Sequence, residues 1–229
     1  MIKKVQCNNK KKELNSGVLV YKFNEYDKTI TISGSYFFWI IKRMFDLLMC
    51  ALLFPIMILI MVALLGLNYF YNKGPIFFIQ KRMGKDCRPF NAIKFRTMIS
   101  NDFIYRNYND PLEVERITRL GHILRKLRLD ELPQILNVIM GEMSLIGPRP
   151  DYYDHAVIFL KSVPDYKKRY LIRPGISGLS QIRLGYAEGI NATKKKTRVD
   201  IFYIEHTNFF LEVKIFFGTI LTVFNRVGI

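Results

Sequence analysis

The sequence predicts a mainly helical α+β fold carried on a membrane-inserted helix, and three observations predict it. Residues 47–67 (LLMCALLFPIMILIMVALLGL) run for 21 positions without a charge. Apolar residues recur at helical spacing over 117–129, after Pro133, and again from Phe209 onward. Short apolar runs bounded by Gly and Pro, within 74–98, read instead as two strands.

Residues 1–35 read as a poorly packed basic extension, with a hint of a strand in TITISGSY. Residues 36–72 are the membrane element. A straight helix over 47–67 reaches about 30 Å, enough to cross a bilayer. Pro55 removes a helical hydrogen bond near its middle, and basic residues flank both ends (Lys42 and Arg43; Lys73, Lys81, Arg82 and Lys85). A helix that enters, breaks at Pro55 and returns keeps both basic flanks on one side, so a re-entrant hairpin is favoured over a plain span. Asp46 is expected to pair with Lys42 or Arg43.

Residues 73–229 form the remaining domain. Arg82, Lys94 and Arg96 lie among apolar residues of the two expected strands, where a cation needs an anionic partner. Residues 101–115 read as a polar loop, and 117–129 as a basic amphipathic helix, suited to a headgroup surface and equally to a core with one solvated face. The next stretch, LDELPQILNVIMGEMSLIGPRP, sets Asp130 and Glu131 before Pro133, where a helix should begin, with Gly141 placed to end it. Carboxylates at a helix start are commonly caps; the same position also keeps an acid ionised for nucleophilic work. SLIGPRP and RPGISGLSQI are read as rigid Gly/Pro loops presenting Arg149 and Arg173. Residues 152–170 read as a helix. Residues 186–197 read as a polar loop whose Lys194-Lys195-Lys196 run is solvated. The helix from Phe209 is read as lying either at a membrane surface or in the core, the surface being slightly favoured.

A net charge of +16 and 50% hydrophobic residues point to anionic partners and membrane association rather than a basic disordered tail. Cys7, Cys50 and Cys87 lie far apart without CxxC, which argues against a zinc site or disulfide framework. Arginine forks suit phosphate oxygens. Carboxylates and arginines beside a membrane therefore suggest phosphoryl transfer involving a lipid, with Mg²⁺ held between Asp130 and a diphosphate. The alternative is a non-catalytic, membrane-tethered basic adaptor for anionic lipid or nucleic acid.

From residue 36 to the C-terminus the chain resembles the bacterial sugar transferases, or monotopic phosphoglycosyl transferases. KRMFD, QKRMG, KFRTM, the long ITRLGHILRKLRLDELPQ…GPRP block, RPGISGLSQI and Asp200-x-x-Tyr203-Ile204 carry the likeness. The resemblance implies a catalytic domain on the cytoplasmic face of the bacterial inner membrane. It implies transfer of a sugar phosphate from a UDP-sugar to polyprenyl phosphate with release of UMP, an early step in assembling capsule, O-antigen or exopolysaccharide, and no nucleic acid partner. Asp130 is then the nucleophile that becomes a phosphosugar ester and also holds Mg²⁺, and Glu131 the candidate base. Arg149 matches a position associated with the nucleotide. Arg82, Lys94, Arg96, Arg173 and Asp200 match substrate-binding motif positions. The family's membrane helix usually breaks at Ser-Pro; here the pair is Phe54-Pro55, which keeps the proline and loses the serine's hydrogen bond. The sugar is left open, as is oligomeric state, a homodimer being one option.

Overall fold

The computed structural model describes residues 11–15, 18–22, 30–72, 74–99, 110, 113–185 and 189–224, with side chains for those between 30 and 222. It is mainly helical, as the hydrophobic periodicity predicts, and the described residues also form three small sheets, one of them the hairpin expected within 74–98. The longest element is α1 (Tyr36–Tyr71), whose N-terminus is capped by the Ser35 hydroxyl accepting from Phe38 N–H at 3.2 Å. At 1.5 Å per residue it is about 54 Å long. Pro55 lies inside this single helical run, so the expected break does not divide it into two helices.

Lys42, Asp46, Cys50, Met57, Leu64 and Asn68 form a buried stripe along α1. Around them Leu48, Leu52, Leu59, Val62 and Leu65 remain exposed. So wide an exposed apolar face is unsuited to water, and the helix is long and apolar enough to cross a membrane. Asp46 is not paired with Lys42 or Arg43 as expected. It accepts from Ser144 Oγ at 2.7 Å and Leu145 N–H at 3.2 Å, while Lys42 pairs with Glu212 at 2.5 Å.

The strands β1 (Lys11–Asn15), β2 (Val18–Lys22) and β3 (Ile30–Ile32) form an antiparallel sheet in what was read as a loose extension. Ile30 and Ile32 are buried in a core with Leu171, Tyr203, Ile204 and Ile215, so β3 is packed into the domain. The alternation in TITISGSY placed that strand correctly. The expected hairpin is present as β4 (Phe77–Met83) and β5 (Pro89–Phe95). Cys87, at its turn, is disulfide-bonded, against the expectation of reduced cysteines; Cys50 is free.

Most of 101–115 lies outside the described residues. The basic amphipathic segment forms α2 (Arg119–Lys126), followed by a 3₁₀ turn (Leu129–Glu131) and α3 (Gln134–Ile139). Gly141, at φ +82°, ends α3 as read from the sequence. The two Gly/Pro loops are not separate: β6 (Ser144–Ile146) and β7 (Gly175–Ser177) pair in parallel. A Cβ on Gly175 would lie 2.1 Å from the Gly147 nitrogen, so only glycine permits this approach.

The remaining helices are α4 (Tyr153–Ser162), α5 (Leu179–Leu184), α6 (Gly189–His206) and α7 (Phe209–Phe224). The described part of 186–197 is thus helix rather than loop, and Lys196 is an ion-paired residue instead of a solvated one. The first turns of α6 carry few apolar residues, which hid the helical period. On α7, Ile215 faces the core while Phe209, Phe210, Phe217 and Leu221 are exposed.

Candidate active site

Asp130 and Glu131 sit on the 3₁₀ turn before α3, not on the first turn of the helix itself. Arg128 enters that turn in the left-handed region, at φ 56° and ψ 17°, a conformation disfavoured for a residue with a Cβ. The reversal separates the basic end of α2 from the acid pair and turns both carboxylates inward, where they are 9% and 7% exposed.

Three elements converge on Glu131. Strand β5 brings Lys94, whose Nζ donates to Oε1 at 2.7 Å. The Pro148–Pro150 turn brings Arg149, which donates to both Glu131 oxygens, at 3.0 Å to Oε2, and to the Ile176 carbonyl at 3.1 Å. Arg128 stands 3.9 Å away. Burial alone would raise the Glu131 pKa, but Arg149 and Lys94 override it and hold the group well below the usual carboxylate range. Burial pushes Lys94 down to about 8 despite the opposing pull of Glu131.

Asp130 is treated differently by its surroundings. It accepts no hydrogen bond and makes no ion pair among the described residues. Burial first, and then repulsion from Glu131, raise its pKa, against the pull of Lys94, Arg125 and Arg149. The pair is therefore split: one acid is fixed and ionised between cations, while the other is left with free lone pairs.

Both acids line a cavity of about 1640 Å³. Met49, Leu52, Leu53 and Ile56 of α1 and Phe216 of α7 supply apolar wall; Arg82, Lys94, Arg125 and Arg149 supply charge; Asp151, His155 and Lys196 lie along it too. Arg82 is turned onto the Pro150 carbonyl at 2.5 Å and Gln80 Oε1 at 2.7 Å.

The other residues expected at the site hold the scaffold. Arg96 reaches the carbonyls of Asn72, Pro75 at 2.6 Å and Met98 at 3.3 Å, and so secures the C-terminal end of α1, although it also borders the cavity. Arg173 donates to the Gly141 carbonyl at 2.8 Å, beyond the far end of α3 from the acids. Asp200 is 1% exposed and bonds Arg169 Nε at 2.7 Å.

Arg169 was missed in the sequence. Fully buried, it also donates to Asp151 at 2.5 Å and to the Arg149 carbonyl at 2.9 Å. Lys196 joins Asp151 at 2.5 Å. Two carboxylates and two cations thus lock the backbone that carries Arg149. The only available signal was Asp151 following Pro-Arg-Pro, too small a pattern to read alone.

Among the described residues no cluster of three His, Cys, Asp or Glu side chains could hold a metal alone. With Glu131 occupied by its cations, Asp130 offers the free oxygens. That fits a Mg²⁺ shared with substrate phosphates and water, the usual manner of holding this ion, and not a protein cage.

A split acid pair beside apolar residues of α1 and α7, in a cavity bordered by guanidinium groups, is chemically suited to holding phosphate. The family model for bacterial sugar transferase matches residues 37–226. The chain belongs to that family, and with it to the phosphoglycosyl transferases. It is 39% identical over 188 residues to a UDP-N-acetylgalactosamine-undecaprenyl-phosphate N-acetylgalactosaminephosphotransferase of Aeromonas hydrophila, covering 82% of this chain and 44% of that protein. The exopolysaccharide production protein PSS of Rhizobium leguminosarum bv. phaseoli is 35% identical over 82% of this chain and 96% of its own length. A UDP-glucose:undecaprenyl-phosphate glucose-1-phosphate transferase of Caulobacter vibrioides is 36% identical over 78% of this chain and 68% of its own. The chain thus spans less than half of the first relative and nearly all of the second.

Proposed function

We propose that this chain transfers a sugar 1-phosphate from a UDP-sugar to polyprenyl phosphate, releasing UMP, for exopolysaccharide or related glycan assembly. One observation carries the reading: the unpaired Asp130 carboxylate opens into a cavity that is cationic on one side and walled by α1 on another. A volume near 1640 Å³ exceeds the roughly 300–1,000 Å³ of ordinary small-molecule sites, and so has room for a nucleotide sugar and the head of a lipid.

In this mechanism an Asp130 oxygen attacks the β-phosphorus. A bond forms between Oδ and phosphorus, the bond to the oxygen bridging the two phosphates breaks, and UMP leaves with that electron pair. The lipid phosphate oxygen then attacks the same phosphorus, the ester to Asp130 breaks, and the carboxylate is restored. Arg149 and Lys94 offset charge on the diphosphate. Mg²⁺, held by Asp130 together with the phosphates, would neutralise charge on the leaving group. Glu131, ionised between two cations, is a weak base; its geometry favours orienting Arg149 and Lys94 over removing a proton.

We place α1 in the bacterial inner membrane with the cavity on its cytoplasmic face. Lys42 near the start of α1 and Asn72 just beyond its end both bond to the same domain, through Glu212 and the Arg96 carbonyl. That supports both flanks lying on one side, even though the helix runs through Pro55. Cytoplasmic accessibility of tags at residues 36 and 73 tests this; one protected tag would restore a plain span.

The reaction is tested by incubating the membrane-embedded chain with a panel of UDP-sugars and polyprenyl phosphate. UMP release, with a phosphosugar adduct trapped on Asp130, is the expected outcome. Salt-dependent binding to DNA without UMP release would favour a basic adaptor instead.

A further inference from the structure

The acid pair and Arg149 are the two ends of one closed stretch of chain. From Glu131 the chain runs through α3, turns at Gly141, and returns along β6 to Arg149, where the Arg149–Glu131 ion pair shuts the loop. Its far end is gripped by a single turn of α1. Arg43 donates to the carbonyls of Val138, at 2.9 Å, and Ile139, at 3.3 Å, at the end of α3. Asp46, one turn along, accepts from Ser144 Oγ at 2.7 Å and Leu145 N–H at 3.2 Å at the start of β6.

Asp46 is 3% exposed, and Ser144, its hydroxyl donor, is 4% exposed. A buried carboxylate is costly unless hydrogen-bonded, and the donors to this one among the described residues both belong to β6. Only Ile146, Gly147 and Pro148 separate Leu145 from Arg149. Gly147 abuts the backbone of Gly175, Pro148 has a fixed φ, and Arg169 holds the Arg149 carbonyl, so this connection has little slack. A shift of β6 on α1 must therefore reach the Arg149 guanidinium.

We propose that Asp46 is a positioning residue for the reaction, acting through Ser144 and β6 to set Arg149 against Glu131. On this inference, which rests on the transferase reading above, α1 is a template for the site as well as an anchor. Lys42, which binds α7 through Glu212, is the part of the same turn that serves attachment alone.

The test uses the full chain in membranes, with Asp46→Asn, Ser144→Ala and the double variant. Asp46→Asn is expected to lower kcat for UMP release about ten-fold, because small misplacements of positioned groups cost rate steeply, with the KM for UDP-sugar within about two-fold. Ser144→Ala should lower kcat less, at unchanged KM and membrane-bound fraction, and the loss should persist when kcat is expressed per folded protein well below the thermal midpoint. The double variant should be no slower than Asp46→Asn, since both act along one path. Unchanged kcat in the single variants, losses that multiply, or loss in step with folded protein in the membrane would overturn the proposal. If Asp46→Asn does not accumulate, Ser144→Ala decides alone by the same kcat and KM criterion. Wild-type chain releasing no UMP from any UDP-sugar would bring down the transferase reading and this inference together.

Discussion

Arg149 holds Glu131 by both carboxylate oxygens, across the mouth of a loop that begins at one residue and ends at the other. The adjacent Asp130 is left with unshared lone pairs in the same cavity. Neighbouring carboxylates with opposite pKa displacements are suited to different tasks. Asp130→Asn should reduce UMP release by roughly a thousand-fold or more and abolish the adduct, read by mass spectrometry of the trapped protein. Retention of full turnover would exclude Asp130 as nucleophile.

Glu131→Gln separates orientation from proton transfer. With Glu131 orienting its two cations, the variant should raise the KM for UDP-sugar and lower kcat by about a hundred-fold, while the acid limb of kcat, which belongs to Asp130, persists and moves to lower pH once the neighbouring charge is gone. Disappearance of a titrating limb in kcat would return Glu131 to the role of base.

The pH profile of kcat/KM follows from two neighbouring groups. Asp130 must be ionised to attack, and burial raises its pKa, so activity is lost on the acid side above the ordinary aspartate range. Lys94 is charged below about 8, so its hold on Glu131 weakens as pH rises through that value. The expected curve is a bell whose basic limb lies near 8. Lys94→Arg should move that limb to higher pH, because guanidinium stays charged; a stationary limb would assign it to another group.

Arg169→Met should destabilise the fold by about 3–5 kcal/mol, since it leaves Asp200 and part of Asp151 buried without their cation. Denaturant unfolding of the detergent-solubilised protein measures this. The same variant frees the Arg149 carbonyl, so the KM for UDP-sugar should rise in whatever fraction remains folded.

Magnesium binding should depend on the nucleotide sugar. With Asp130 the unpaired acid in the cavity and no cluster of three metal-ligating side chains among the described residues, calorimetry should find weak Mg²⁺ binding to the chain alone and much tighter binding with UDP-sugar present. Tight binding to the unliganded chain, or binding unchanged in Asp130→Asn, would contradict a shared ion. Chelation should stop turnover reversibly.

The sequence disclosed elements whose burial is one-sided. Helices α2 and α7, the β4–β5 hairpin and the stop at Gly141 are written in periodicity and in Gly/Pro punctuation, which depend on neighbours a few positions away. The acid pair and Arg149 drew notice from local pattern and from the family motifs, and the fold brings them into contact. What stayed hidden was long-range pairing. Arg96, Arg173 and Asp200 have the residue types of a phosphate site, yet Arg96 and Arg173 bond to backbone carbonyls and Asp200 pairs with Arg169, because a charged side chain looks alike in sequence whichever partner it meets. Lys196 looked solvated because nothing near it in sequence revealed Asp151.

The strand Ile30–Ile32 lies before the first residue matched by the family, yet its two isoleucines are packed beneath Tyr203, Ile204 and Ile215. An expression clone trimmed to the shared region would strip a cover from the inner face of α7, the helix whose Phe216 borders the reaction chamber. Such a fragment should be prone to clumping and hard to purify, for a reason that comparison with its relatives would never suggest.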